Sequence, residues 1–517
     1  MNEFPWLTTL IALPIVGSLV IAFLPRGTNL PRLVGLVVSG LTLAGAIAVA
    51  VGYDAGSGMQ FTEEHEWISV FGAHYALGVD GLGLLMILLT AVLVPIVLVA
   101  SLRHADEVGF GDAGGAAVFS AWVLALEGLS IAVFAATDVF LFYVVFEATL
   151  IPAYFLIGGF GRLGRSRAAV KFLIYQLAGG LVMLASVIGL YVVSARAGEP
   201  SYLISDLAAL DIGETAQRWL FVGFFIAFAI KAPLFPVHTW LADTTEKATT
   251  GTSVLLVCVL DKIGTFGMLR FCLGLLPEAS EWATPVVVVL ALISIVYGAL
   301  IAIGQDDILR LIGLTSLSHF GLIVLGIFVF SRHGSSGAIL YMVNHGLATA
   351  LLFLVAGFLI RRTGTARMSL MPGGVEKVAP VLAGSFLVAG LATCGLPGLS
   401  PFVSQILVLI SAFDYAWWAG VVAVTAIVLA AIYALWMDQR TMPGPPGPRL
   451  AGFTDLDRRE VGAVAPLVLA LVLFGFYPMP MLDVINPTVD TTLQQTGVSD
   501  DGPAVSSGNA SAEEGDH

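Results

Sequence analysis

Charge is what this chain has least of. Only 11% of its 517 residues are Asp, Glu, Lys or Arg, against about 25% in a soluble domain. With 58% apolar residues and a mean hydropathy of +0.94, that scarcity excludes a soluble enzyme, a nucleic-acid binder and a disordered protein. Cysteine is almost absent as well. Cys258, Cys272 and Cys394 all lie in apolar runs and form no C-x-x-C pair, which excludes iron–sulfur and zinc centres and any disulfide framework. Alternating polar and apolar residues over ~10-residue stretches are missing too, so a transmembrane β-barrel is excluded. The glycines Gly159, Gly161 and Gly164 spell G-x-G-x-x-G, but they close an apolar helix with no strand before them. They give no dinucleotide site.

What is present is long apolar runs. Stretches able to cross ~30 Å of hydrocarbon read at 4–24, 30–53, 79–101, 112–135, 138–159, 168–194, 218–240, 251–276, 284–304, 308–330, 336–361, 380–411, 416–437 and 461–480. The fold class is therefore all-α and polytopic, with about 14 transmembrane helices. Glu3 and the lack of basic residues before the first run argue against a cleaved signal.

Short cytoplasmic loops collect Lys and Arg. With the N-terminus outside, the inward-facing segments hold seventeen basic residues, Arg26, Arg103, Arg162, Lys171, Arg310, Arg361, Arg362 and Arg449 among them, and the outward-facing segments hold only Arg196, Arg218 and Arg332. Both termini are thus expected outside the cytoplasmic membrane. The net charge of −13 is concentrated in keeping with this, because seven acidic and no basic residues follow Pro480.

Two blocks of five spans, within 112–276 and 284–440, read as inverted repeats. Tyr175 and Gly180 match Tyr341 and Gly346 at a spacing of 166 residues, and the seventh and twelfth spans are interrupted at Pro233 and Pro236 and at Pro397 and Pro401. An odd number of spans per block makes the second enter from the opposite face, and paired broken helices point to a midplane transport site. Around the blocks the reading places a three-helix region at 1–111, a last helix in 441–480 and an acidic disordered tail at 481–517.

An ionisable side chain at mid-span costs about 2.5–3.5 kcal/mol on insertion scales. Glu147, Lys231, Lys262, His319 and His345 all fall near the middle of different spans, which implies a row along the membrane plane. Each also has a structural reading: Glu147 and Lys231 as an ion pair tying two spans, the histidines as satisfied core residues, Asp261 as a local counter-ion of Lys262, Glu127 as relay or packing. Taken together they form a gated proton relay, because a carboxylate moving near a buried lysine changes whether that lysine holds its proton.

These residues sit in distinctive stretches. "DVFLFYVVFEATLIPAYFLIGGFG" around Glu147, "LGVDGLGLLMILLTAVLVPI", "IKAPLFPVHTWLAD" with Lys231 and His238, "SLSHFGLIVLGIF", "YMVNHGLATALLFLVAGFL" and "GLPGLSPF" resemble the antiporter-like membrane subunits of proton-translocating NADH:quinone oxidoreductase, respiratory complex I. The wording around Glu147 is that of the M type, whose mitochondrial counterpart is subunit 4. The resemblance covers roughly 4–480 and implies a fourteen-helix antiporter-like fold placed between two similar subunits, L and N. It implies no cofactor on this chain, with flavin, clusters and quinone held elsewhere. It also implies Glu147 and Lys231 as gating pair, Lys262 as central relay, and His319 and His345 on the path, with His238, Asp261, Glu127 and Gln405 as further relay or counter-ion positions. Two departures stand out. The stretch after Trp240 reads Leu241-Ala242-Asp243-Thr244-Thr245, and Gln405 stands where the family carries a Glu in the twelfth span. A Gln cannot titrate, so the usual terminal carrier is absent. A cation/proton antiporter subunit of the Mrp type and a structural subunit with impaired pumping are the competing readings.

Overall fold

The computed structural model describes residues 4–25, 28–101, 113–198, 200–445, 447 and 450–497. They form a helical bundle. Its helices are α1 (Trp6–Phe23), α2 (Leu30–Gly52), α3 (Gly81–Ser101), α4 (Ala113–Ala135), α5 (Val139–Ala148), α6 (Leu150–Gly159), α7 (Arg165–Ala197), α8 (Glu214–Lys231) and α9 (Thr239–Lys247). They continue as α10 (Thr250–Leu273), α11 (Pro277–Ile303), α12 (Ile308–Phe328), α13 (Arg332–Thr363), α14 (Pro380–Thr393), α15 (Ser400–Tyr415), α16 (Trp417–Thr441), α17 (Arg458–Phe476) and α18 (Met479–Gln495). Twelve stretches are long and apolar enough to cross a membrane in one piece, α5 and α6 counting together. The expected seventh and twelfth spans arrive instead as two helices each, α8 with α9 and α14 with α15.

Those two interruptions follow from backbone chemistry. Pro233 and Pro236 lack the N–H that would continue α8, and the carbonyl of Ile230 is taken by the Trp240 indole at 3.0 Å. Between α14 and α15 the chain turns through Gly395 at φ +76 and Gly398 at φ +92, left-handed conformations that a glycine adopts without strain.

Which connections share an end of the bundle is set by contact. The backbone of Leu7 donates to Glu63 at 2.8 Å, and Gly81 N donates to Thr488 at 3.0 Å. Both described ends of the chain therefore lie together, as an even number of crossings requires. A hairpin, β1 (Gln60–Ile68) with β2 (Ala73–Val79), covers this end and carries the acidic Glu63, Glu64 and Glu66 on its first strand. The opposite end carries the basic connections. There Arg162 meets Asp307 at 3.0 Å, Arg310 meets Asp243 at 2.6 Å and Glu246 at 2.9 Å, and Arg361 and Arg362 both reach Glu460. Arg26, Arg103 and Arg449, counted with this group from the sequence, lie outside the described residues.

One expectation is corrected. The tail expected to be disordered from 481 onward begins as a helix, α18, with Met481, Ile485, Val489 and Leu493 buried at four-residue spacing. Pro480 and Pro487 disguise that stripe in the sequence, yet Asn486 accepts from Ser336 at 2.8 Å and Arg332 pairs with Asp490 at 2.7 Å to hold it on α13. The rest of the tail, 498–517, lies outside the described residues.

Candidate relay in the membrane interior

Every expected mid-span group is in place, but they form two clusters rather than one row. In the first, Asp138 caps α5 by accepting from Leu141 at 2.8 Å. The helix then breaks at Thr149, one residue beyond Ala148 and two beyond Glu147. Lys231, the last residue of α8, is buried and sends its ammonium toward the Thr149 hydroxyl at 3.3 Å and over the Phe146 ring at 4.5 Å. The Glu147 carboxylate turns instead toward α7, where Gly180 leaves room for it; an ideal Cβ on Gly180 would stand within 1.8 Å of Oε1. Oε1 has no hydrogen-bond partner among the described residues. The gating pair is thus present as two neighbours that do not form an ion pair in this conformation.

The second cluster is continuous over most of its length. Lys262 lies near the middle of α10, flanked by two π-helical stretches, Leu256–Leu260 and Met268–Leu273. The wider turn frees the carbonyl of Val257, which accepts from Lys262 Nζ at 2.9 Å. The same ammonium lies 2.6 Å from His345 Nδ1 and 4.7 Å from the centre of the Phe320 ring. The rings of His345 and His319 are 5.2 Å apart. His319 in turn contacts Tyr341 Oη through Nδ1 at 2.6 Å and Tyr433 Oη through Nε2 at 3.0 Å. Tyr341 Oη finally meets Gln405 Nε2 at 2.8 Å. Lys262, His319, His345, Tyr341, Tyr433 and Gln405 are all buried.

Phe142, Phe228, Phe266 and Phe271 pack ring to ring beside the clusters, with centroids 4.5–6.3 Å apart. The backbones of the two clusters touch, since an ideal Cβ on Gly264 would meet Ala232 N at 2.5 Å.

The other candidates stand aside from the contact chain. Asp261 is buried next to Lys262, but neither carboxylate oxygen has a hydrogen-bond partner among the described residues, and the same holds for Glu127 on α4. His238 packs against Phe235 and Tyr297, with ring centroids 6.0 and 5.4 Å away. Sequence reasoning passed over Thr149 and Tyr433 and saw Tyr341 only as a repeat landmark. The available signal was a tyrosine deep in each of two apolar spans, a group that needs a hydrogen-bond partner when buried.

Chemically, a charged lysine only donates, while a neutral imidazole accepts at one nitrogen and donates at the other. The contact from Lys262 to His345 can therefore hand on a proton. The next step is not a hydrogen bond in this conformation: His345 Nε2 has no partner among the described residues, and both nitrogens of His319 face tyrosines, so passing the proton on requires a ring to turn. Among the described residues no group of three or more His, Cys, Asp or Glu could hold a metal ion.

Comparison with known proteins gives the family and the fold. A family model described as "NADH:quinone oxidoreductase/Mrp antiporter, TM" matches residues 136–430. The chain is 47% identical to NADH-quinone oxidoreductase subunit M of Mycobacterium tuberculosis, over 98% of this chain and 97% of that one. A chain of respiratory complex I from Thermus thermophilus with bound NADH superposes with a TM-score of 0.86 at 32% identity, covering 95% of this chain and all of that one. A chain of the Mrp complex from Dietzia sp. DQ12-45-1b shares the fold, with a TM-score of 0.84 at 21% identity over 96% of this chain.

Proposed function

This chain belongs to the subunit M family of NADH-quinone oxidoreductases, and from that membership we propose that it moves protons across the membrane through a relay of Glu147, Lys231, Lys262, His345 and His319. Energy for the movement comes from quinone reduction on other subunits, and this chain holds no flavin, cluster or quinone of its own. Its neighbours in the membrane arm are the related L and N subunits. It lies in the cytoplasmic membrane, with the hairpin and both termini outside and the Arg162–Lys171 connection in the cytoplasm.

The observation that carries the reading is the unbroken contact from Lys262 to His345 at 2.6 Å, buried where a charge has no other reason to be. A structural ion pair would have matched Lys262 with Asp261; instead the ammonium takes a histidine and a freed carbonyl. The two-block architecture is supported by a repeated contact. Tyr175 bonds to Thr239 at 2.7 Å and Tyr341 to Gln405 at 2.8 Å, each tyrosine reaching the second half of a broken helix 64 residues later.

The test is the whole complex in proteoliposomes. Glu147→Gln, Lys231→Ala and Lys262→Ala should each assemble and lower the number of protons moved per electron. All three variants pumping at the wild-type ratio would refute the relay. A second reading, an Mrp-type cation/proton antiporter subunit, draws on the shared fold; co-purification without any NADH-oxidising subunit would favour it. A subunit with impaired pumping, motivated by Gln405, would show the unaltered ratio in every relay variant.

A further inference from the structure

The contact chain ends on an amide, and hydrogen-bond arithmetic there has a definite consequence. Tyr341 Oη carries one proton. The nitrogen of the Gln405 amide lies 2.8 Å away and can only donate, so the phenol accepts from it. The phenol proton is then left for His319 Nδ1 at 2.6 Å. Because Nδ1 accepts, the proton of a neutral imidazole sits on Nε2 and points to Tyr433 at 3.0 Å. The chain of donors runs from Gln405 through Tyr341 and His319 to Tyr433.

Tyr341 lies nine residues from the end of α13 that carries the hairpin and termini, His319 nine residues from the same end of α12 and Gln405 ten residues from that of α15, while Tyr433 lies eight residues from the basic end of α16. At ~1.5 Å per residue the amide, Tyr341 and His319 share one depth, and Tyr433 stands toward the basic end.

The other end of the amide is unsatisfied. Gln405 Oε1 is buried with no donor among the described residues. It fills the space beside Gly395 at the helix break, where an ideal Cβ would stand 1.9 Å from it. Turning the amide over exchanges the two ends: Oε1 then accepts the phenol proton, and the phenol oxygen is free to accept from His319 Nδ1–H. In the present orientation the oxygen is the end without a partner. The number of hydrogen bonds along the run from Gln405 to Tyr433 is the same in both arrangements.

We propose that Gln405 is a positioning residue that gates the far end of the relay by the orientation of its amide. With Nε2 toward Tyr341 the phenol points at His319; with Oε1 toward Tyr341 it points at the amide. The related contact in the first block is built differently. Tyr175 and Thr239 are two hydroxyls, either of which can donate, so no heavy atom has to turn. The amide makes the second contact a device with two discrete states, and it does so without titrating. The titratable groups around it are Tyr341, His319, His345, Tyr433 and Cys394.

This proposal rests on the relay reading, and its test separates the two. Proteoliposomes carry the whole complex with Gln405→Met, Gln405→Glu, Tyr341→Phe or Lys262→Ala, normalised to assembled complex by NADH oxidation with a water-soluble acceptor. Gln405→Met keeps the volume but can neither donate to nor accept from the phenol in this way, and should lower the proton-to-electron ratio toward the Lys262→Ala value. Tyr341→Phe should do the same, and combining it with Gln405→Met should add nothing. In Gln405→Glu the ionised carboxylate can only accept, which holds the phenol toward position 405, whereas the protonated carboxyl can donate. Its pumping ratio should therefore acquire a titration, rising as pH falls, that neither wild type nor Gln405→Met shows. Wild-type ratios in Gln405→Met and Tyr341→Phe, or a Gln405→Glu ratio that follows wild type at every pH, would overturn the gate. If Lys262→Ala is impaired in that experiment, the relay stands and the gate alone fails; if Lys262→Ala pumps fully, both fail.

Discussion

Gly264→Ala adds one methyl group where two relay helices touch. The new Cβ would lie 2.5 Å from Ala232 N, 2.6 Å from the carbonyl of Phe228 and 2.7 Å from Ala232 Cβ. These are mostly backbone atoms, so no rotamer change relieves the clash. Restoring an ordinary contact of 3.4 Å requires α10 and α8 to part by about 0.9 Å. The strain is of the kind that costs about 1–3 kcal/mol when a packed interior is overfilled, which a bundle of this size survives. The relay is less tolerant. Lys262 lies two residues from the methyl and Lys231 one residue from Ala232, and the 2.6 Å contact of Lys262 with His345 has a working range of only ~0.5 Å. Losing one buried hydrogen bond of this kind costs about 1–3 kcal/mol, so proton transfer should slow roughly 5- to 160-fold. The assay is the rate of proton uptake by proteoliposomes per assembled complex. Gly274→Ala is the control, because its nearest neighbour would be an ordinary 3.6 Å away. A Gly264→Ala complex that assembles and pumps at the wild-type rate would refute the claim that the spacing of α8 and α10 sets the relay.

The remaining expectations concern the two ends of the bundle. Glu460 is buried and holds Arg362 at 2.6 Å and Arg361 at 2.9 Å; Glu460→Ala strands both guanidiniums and should destabilise by about 3–5 kcal/mol, read as a lower midpoint in thermal unfolding of the detergent-extracted complex. At Asp306, hydrogen bonds from the Ser369 hydroxyl at 2.6 Å and amide at 2.9 Å hold the carboxyl below its ordinary range. A depressed carboxyl contributes stability above its unfolded pKa of ~3.9 and loses it as pH falls through the lower folded value, so Ser369→Ala should make this end fail at a higher pH in acid unfolding. For orientation, single cysteines at Gly164 and Thr491 should be labelled from the cytoplasm and from outside respectively; an impermeant outside reagent that reaches position 164 and not 491 would invert the assignment.

Much of this was legible in the sequence, and what was not has physical causes. Apolar runs announce spans because a bilayer imposes a length, and the prolines at 233, 236, 397 and 401 announce the two broken helices. Lys231, Lys262, His319 and His345 were visible because charge and imidazole are rare in such runs. Their partners were not. Whether Lys262 pairs with Asp261 or with His345 depends on a π-turn, which changes which carbonyls are free, and no residue type marks one. Thr149 was missed because a threonine hydroxyl inside a helix usually bonds its own backbone, and Tyr433 because which group its phenol meets is set by the packing of another helix. The stripe of α18 was hidden by Pro480 and Pro487, whose ordinary meaning is an end to helix rather than a way through it.

The π-turns on either side of Lys262 have a consequence for variation in chain length. Each one accommodates about one residue more per turn than an α-helix does, without lengthening the span in proportion. A single-residue deletion within Leu256–Leu260 would therefore restore regular helix and leave the span nearly as long. The flanking turns would keep their facing, because the residue removed is the one the wide turn had absorbed, and Lys262 would still face His345. What would go is the freed carbonyl of Val257, the ammonium's second acceptor. A helical wheel drawn at an even 100° per residue across the wide turn would, by contrast, put Lys262 about one residue's rotation away from its true face.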